Sequence, residues 1–272
     1  MLFFGLSTWV LALSIAVIML AATAIGLVVG RLLAKRAEER GERESFREPF
    51  GVLQGALIGF MGLVLAFGLS LAVARYESRR ADVVTEANAI GTTYLRAETL
   101  PEPVRSQSLD LLRTFAAESI AITKAVPGST EQHRAAAASE ESENRLWALA
   151  AKALDDQPDA GAPRLYVDSV NGMFDSQASL VYGLTNRVPT PVLLVELVGA
   201  AVATAALALH LAMFGRGVLT VLIASVLVTV LLVVTFDLDR PTRGLITIPT
   251  TPLVDVHDSM SGPPAAAAPP GG

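Results

Sequence analysis

Three carboxylates and six arginines in this chain border its long apolar runs, where charged groups can hold or gather an ion. Asp237, Asp239, Arg240 and Arg243 follow the last run; Arg75, Arg79 and Arg80 follow the second; Arg187 precedes the third, and Glu196 lies just inside it. If the runs are membrane-crossing helices, these side chains converge on one membrane face. Two roles fit: a salt-bridge collar that locks the membrane part to the soluble part, or a vestibule for an ion or substrate. Ionisable groups at membrane depth are costly and point by default to function. The stretch Asp237-Leu238-Asp239-Arg240-Pro241 with Gly244 is the most specific in the chain. Proline fixes the backbone after the run, glycine permits a tight turn, and the arginine fork can hold a carboxylate at two points. Aspartates two residues apart could contribute to a divalent-cation site, but such sites want about six or more oxygens and the EF-hand spacing is missing. No bound metal is expected.

The second run carries Gly51, Gly55 and Gly59 at four-residue spacing, then Gly62 and Gly68, with Gln54, Phe60, Phe67 and Ser70 between and beyond them. Such a small-residue stripe lets helices approach closely. It serves packing within the chain or between copies, or it lines and flexes a pore. His210, four residues before Phe214, is read either as an interfacial ring or as a proton relay. The chain has no nucleophile elbow, phosphate loop, HExxH or kinase set. It has no cysteine, which removes disulfides, thiolate metal sites and cysteine nucleophiles. The reading is therefore of a non-enzyme without a cofactor.

The elements that must position these residues are set by four apolar runs, Leu2–Gly30, Phe50–Ala74, Val192–Phe214 and Val218–Phe236. A bilayer core about 30 Å thick needs about 20 apolar residues of helix, so each run is a candidate span and the lipid bilayer is the first partner. Charged residues are 17% and hydrophobic residues 52%, against about 25% charged in soluble domains. A net charge of −5 gives no footprint for nucleic acid. The first run lacks a basic leader and exceeds a signal-peptide core, so it is read as a retained span. Arginine dominates lysine, a bias that fits a bacterial source and hence the inner membrane.

The expected fold is an all-α membrane protein with four transmembrane helices and a helical-bundle insert between the second and third. By residue number, 1–49 is the first span with a charged helical connection, 50–75 the second span, and 76–187 the soluble insert. A transmembrane hairpin occupies 188–238, turning at Gly215-Arg216-Gly217; the post-membrane segment is 239–260, and 261–272 is a tail disordered by composition. One long helix is expected from Pro49 to Leu100, with others over Glu131–Leu154 and Arg164–Asn186 and a turn at Pro127-Gly128-Ser129. Leu245, Ile246 and Ile248 suggest an extended stretch, either a short strand or a bound loop, and Pro252–Met260 one or two helical turns.

Orientation follows from basic residues in short loops. Arg31, Lys35, Arg36, Arg40, Arg43, Arg47 and Arg216 face Arg75, Arg79, Arg80, Arg96, Arg187, Arg240 and Arg243 across the membrane. Long inserts are discounted by the rule, so the count places the insert outside the cytoplasm.

Gly59-Phe60 with Arg75-Tyr76-Glu77 is similar to the second helix of bestrophins. The set Glu86-Ala87-Asn88, Tyr94-Leu95-Arg96, Leu100-Pro101, Asn171, Arg187, Pro189 and Asp239-Arg240-Pro241 with Gly244 resembles the bestrophin-like family, over roughly 50–253. Bestrophins are pentameric anion channels with a cytosolic helical region. The resemblance therefore implies a homo-oligomer, a small anion as partner, and an insert in the cytoplasm, opposite to the charge count. The acidic calcium clasp and the aromatic neck of bestrophins are not found in this sequence. Two functions are carried forward: an oligomeric channel or transporter for small anions, and a membrane-anchored scaffold or sensor whose insert binds a partner or ligand. The scarcity of polar side chains in the spans favours the second; glycine and alanine can line a pore, which keeps the first.

Overall fold

A computed structural model describes residues 7–41, 47–214 and 217–261. The Gly215-Arg216 turn, Arg43 of the charged connection and the tail 262–272 lie outside the described residues. Among the described residues eight α-helices are formed: α1 (Thr8–Glu39), α2 (Arg47–Ala97), α3 (Val104–Lys124), α4 (Thr130–Asp156), α5 (Gly161–Thr185), α6 (Thr190–Phe214), α7 (Val218–Leu238) and α8 (Thr251–Ser261). Four helical stretches are long and apolar enough to cross a membrane, so the chain is an all-α, multi-pass membrane protein. Two compact units emerge, one of Met1–Tyr76 and Arg187–Thr247, the other of Glu77–Asn186 and Ile248–Gly272.

The first unit holds α1, the apolar part of α2, α6 and α7. Its helices are apolar on nearly every face, as expected where lipid replaces water outside. Ser7 caps α1 by accepting from the Val10 amide at 3.4 Å. Hydroxyls inside the apolar helices are satisfied locally: Thr23 donates to the Met19 carbonyl at 2.8 Å and Thr235 to that of Leu231 at 3.0 Å. Leu11, Ile15 and Met19 of α1, Leu65 of α2, Leu193 and Leu197 of α6, and Leu232 and Phe236 of α7 form one core.

The α1–α6 seam in this unit is built on glycines. A Cβ on Gly26 would overlap the Ala205 carbonyl oxygen, and one on Gly30 would lie 2.5 Å from that of Leu209. This four-residue glycine spacing on α1 lets its backbone rest on α6.

The second unit holds the polar end of α2 with α3, α4, α5 and α8. Gly128, at φ +80°, makes the turn into α4. Ser129 then caps α4 by accepting from the Gln132 amide at 3.1 Å. Val83, Ile90, Leu112, Phe115, Leu146, Tyr166, Val170, Met173 and Leu180 fill the centre. The stretch Leu245–Thr250 is irregular rather than a strand, because the Ile246 amide bonds a side chain instead of a neighbouring chain. After it, α8 runs for 11 residues, longer than the one or two turns its sequence suggests, and buries Leu253 and Met260.

Candidate functional site

The segment after α7 folds back on itself around two aspartates. Asp237, in the last turn of α7, accepts the Ile246 amide on Oδ2 at 2.9 Å. Gly244 makes this possible: a Cβ there would lie 2.7 Å from that oxygen. Asp239 accepts the Val188 amide on Oδ1 at 2.9 Å, tying the residues before α6 to those after α7. Thr8, at the start of α1, donates to the Arg243 carbonyl at 2.8 Å. Arg240 is only 3% exposed. Burial pulls its guanidinium below the ordinary value; Asp237 opposes that, while Arg243 and Arg187 reinforce it. Asp239 faces Arg187 electrostatically. Within the first unit, two aspartates hold backbone amides and balance two partly desolvated arginines.

Not all of the arginines at the run boundaries join it. Arg79 is buried in the second unit, where Nε donates to the Gly183 carbonyl at 3.0 Å and Nη2 to that of Asn186 at 2.6 Å. It caps the C-terminus of α5, the end where carbonyls lack helical partners. Arg80 is exposed and pairs loosely with Glu77 at 3.7 Å. Arg243 is exposed and Arg75 half-buried.

Glu196 is placed apart from the loop. It is 1% exposed and lies against α2, where a Cβ on Gly68 would overlap its carboxylate. Neither carboxylate oxygen has a hydrogen-bond partner among the described residues. On α2, Met61, Leu65, Gly68 and Ala72 are buried; their spacings of four, three and four make one helical face.

The glycine stripe points elsewhere. A Cβ on Gly55, Gly59 or Gly62 would meet nothing within 4 Å, and one on Gly51 only the His210 ring at 3.7 Å. Phe60 and Phe67 are 61% and 68% exposed, and Gln54 is half-buried. Among the described residues the stripe packs nothing at Gly55, Gly59 and Gly62. Packing inside the chain is done by Gly26, Gly30 and Gly68 instead. His210 stacks on Phe214 with ring centroids 5.2 Å apart.

In the second unit a carboxyl group is enclosed completely. Glu86, beyond the charged exit of the apolar run, is 0% exposed. Ser119 donates to its Oε1 at 3.4 Å, and Ser176 donates to Oε2. Gln177 extends the network, giving Nε2 hydrogens to Ser119 at 3.1 Å and Ser139 at 2.7 Å. Burial pushes the Glu86 carboxyl up to about 7, with the serines opposing and Glu143 adding to the rise.

A bestrophin-like domain matches residues 17–253. The chain belongs to the bestrophin-like family. Its fold is similar to solved structures of a bacterial bestrophin homologue from Klebsiella pneumoniae. One covers 89% of this chain and 96% of its own, with a TM-score of 0.64 and 12% identity. A single-substitution variant covers 90% and 99%, with a TM-score of 0.66 and 12% identity. Among curated proteins no sequence match is found.

In this bestrophin-like chain several residues of the family resemblance hold the second unit together. The Tyr94 hydroxyl donates to the Met260 carbonyl at 3.3 Å, and Arg113 Nε donates to the same oxygen at 2.8 Å. Both fasten the last turn of α8. Arg96 donates to the Leu165 carbonyl at 2.8 Å. Asn171 is exposed and reaches Asp175 at 3.4 Å. Two features escaped the sequence reading: the Gly26–Gly30 seam, whose spacing was there to be seen, and the enclosure of Glu86, which nothing in its local sequence signals.

Proposed function

We propose that this protein is the subunit of an oligomeric channel or transporter for small anions in the bacterial inner membrane. The observation that carries the proposal is the division of α2 into two faces. Met61, Leu65, Gly68 and Ala72 are buried, whereas Gly55, Gly59 and Gly62 meet none of the described residues. A lipid-facing helix gains nothing from bare backbone, whereas copies packed around an axis can approach on such a stripe or leave it to line a path. Family membership and the shared fold support this reading. In it, exposed Arg243 raises the local anion concentration near the path mouth, while buried Arg79 and Arg240 are structural.

The test is flux through purified protein reconstituted in liposomes. Selective halide or bicarbonate flux, together with a closed homo-oligomer in detergent, is the expected result. No selective flux at any voltage or pH, or a monomer, overturns the proposal and leaves the membrane-anchored scaffold.

A further inference from the structure

Glu196 is the one carboxylate embedded within an apolar run, and the fold makes a place for it. Gly68 on α2 is the notch: any side chain there would occupy the volume of the carboxylate. The walls are apolar, with Leu193 and Leu197 on α6 and Leu65 on α2 in the adjoining core. No group donates a hydrogen bond to either carboxylate oxygen among the described residues.

Charge compensation is also missing along every neighbouring helix. Before Arg31, α1 has no ionisable side chain; α2 has none between Glu48 and Arg75; α7 has none before Asp237. On α6 itself the other titratable group is His210, toward the opposite end. Arg75 lies seven residues beyond Gly68, about 10 Å along the helix. A bare carboxylate in such a seam is an uncompensated charge, which strongly destabilises the packing around it. A metal ion would need several more oxygens than one carboxylate supplies, whereas a proton needs only one.

We propose that the Glu196–Gly68 notch is a proton site. Glu196 holds a proton while α2 and α6 are closed together, and loss of that proton to water separates the two helices at this point. The step breaks one carboxyl O–H bond, and the proton leaves as hydronium. Because α2 also carries the glycine stripe, the site couples proton concentration to the geometry of that stripe. The site itself does not require channel activity.

Two measurements on the full-length protein in lipid test it. Infrared spectroscopy follows the carbonyl band of protonated carboxylic acids, with Glu196→Gln isolating the Glu196 contribution and Glu86→Gln, Asp237→Asn and Asp239→Asn marking other enclosed carboxyls. Cross-linking of Met61→Cys with Gly199→Cys follows the seam; the native Met61 thioether overlaps the position of a Gly199 Cβ, and the chain has no other cysteine. The expected result is a Glu196 band at acidic pH that disappears as pH rises, with a parallel loss of cross-linking that Glu196→Gln abolishes. Absence of a Glu196 band at every pH at which the protein is folded overturns the site. Cross-linking with the same pH profile in Glu196→Gln overturns the coupling. If Glu196→Gln does not fold, the pH profile of cross-linking with Glu196 in place decides, measured against thiol alkylation of each single-cysteine chain; a profile that follows thiol reactivity alone overturns the coupling. Absent ion flux beside a present Glu196 band counts against the channel proposal alone.

Discussion

Asp239 accepts the Val188 amide at 2.9 Å, so one side chain joins the entry of the third span to the exit of the fourth. Val188 precedes Pro189 in irregular chain, and its buried N–H has no helical partner of its own. Removing the acceptor should be costly, because a buried amide left unsatisfied loses about 1–3 kcal/mol and Arg187 loses its facing carboxylate. Asp239→Ala should lower stability by about 2–4 kcal/mol, and Asp239→Asn by less, since the amide oxygen still accepts. Unfolding midpoints of the detergent-solubilised variants check the order; equal midpoints for Ala and Asn would refute the role of the acceptor.

Arg240 tests the same loop from the cationic side. Truncating one member of a buried charge group costs about 3–5 kcal/mol, so Arg240→Ala should fold poorly. Arg240→Lys should rescue only in part, because an ammonium cannot reproduce a planar fork. An Arg240→Ala protein of unchanged unfolding midpoint and altered flux would make this residue functional rather than structural.

Much of this architecture is legible in the residues themselves. Four apolar runs must be helices in lipid, because only internal hydrogen bonding satisfies their backbone there. Pro127-Gly128-Ser129 signals its turn, and the Asp-Leu-Asp-Arg-Pro stretch announces a specific loop. What is not legible is partner choice. Gly55 and Gly26 have the same local pattern, yet Gly26 meets the α6 backbone and Gly55 meets nothing among the described residues. Arg79 and Arg80 are adjacent, yet a helix turns one into a cap for α5 and the other toward solvent. Ser139 sits in a polar, acidic stretch that reads as surface, and it is 1% exposed because Gln177 draws it inward. Periodicity identifies a buried face only when the face is apolar; a polar face buried by its network looks solvated.

The two glycine sets should respond differently to bulk. Gly26→Leu and Gly30→Leu force side chains into the α6 backbone and should cost at least about 1–3 kcal/mol of stability. Gly59→Leu should leave the unfolding of the isolated chain within about 0.5 kcal/mol while changing oligomer size or flux. Light scattering beside thermal unfolding separates the two effects. A strongly destabilised Gly59→Leu monomer would show that the stripe is packed within the chain.

Gly68 and Glu196 should be coupled. Gly68→Ala pushes a methyl group into the carboxylate and should destabilise by about 1–3 kcal/mol, whereas in a Glu196→Ala background the same methyl enters empty space. The coupling energy of the double-mutant cycle should then be about 0.5–3 kcal/mol, with Glu196→Ala relieving the penalty. Additive effects would mean that the side chain does not occupy the notch.

Glu86 gives the second unit a pH dependence whose sign follows from its environment. The ordinary carboxyl value is 4.5 and the folded value is about 7, so between these limits the folded chain binds more protons than the unfolded chain. Stability contributed by this group is therefore complete below about 4.5 and is lost as pH rises to about 7, by about 3 kcal/mol in all. The same contacts serve both forms: as a carboxylate Glu86 accepts from Ser119 and Ser176. Ser176 has a single hydroxyl hydrogen, and its oxygen lies within reach of both Glu86 and the Met173 carbonyl, the latter at 2.8 Å. A protonated Glu86 can donate to Ser176, freeing the serine hydrogen for Met173. Glu86→Gln, which keeps a donor at every pH, should flatten the profile and be the more stable protein above pH 7. Hydrogen exchange of α3 and α5 amides in the full-length protein, followed across this range, provides the measurement; a profile as steep in Glu86→Gln as in the native chain would assign the dependence to another group.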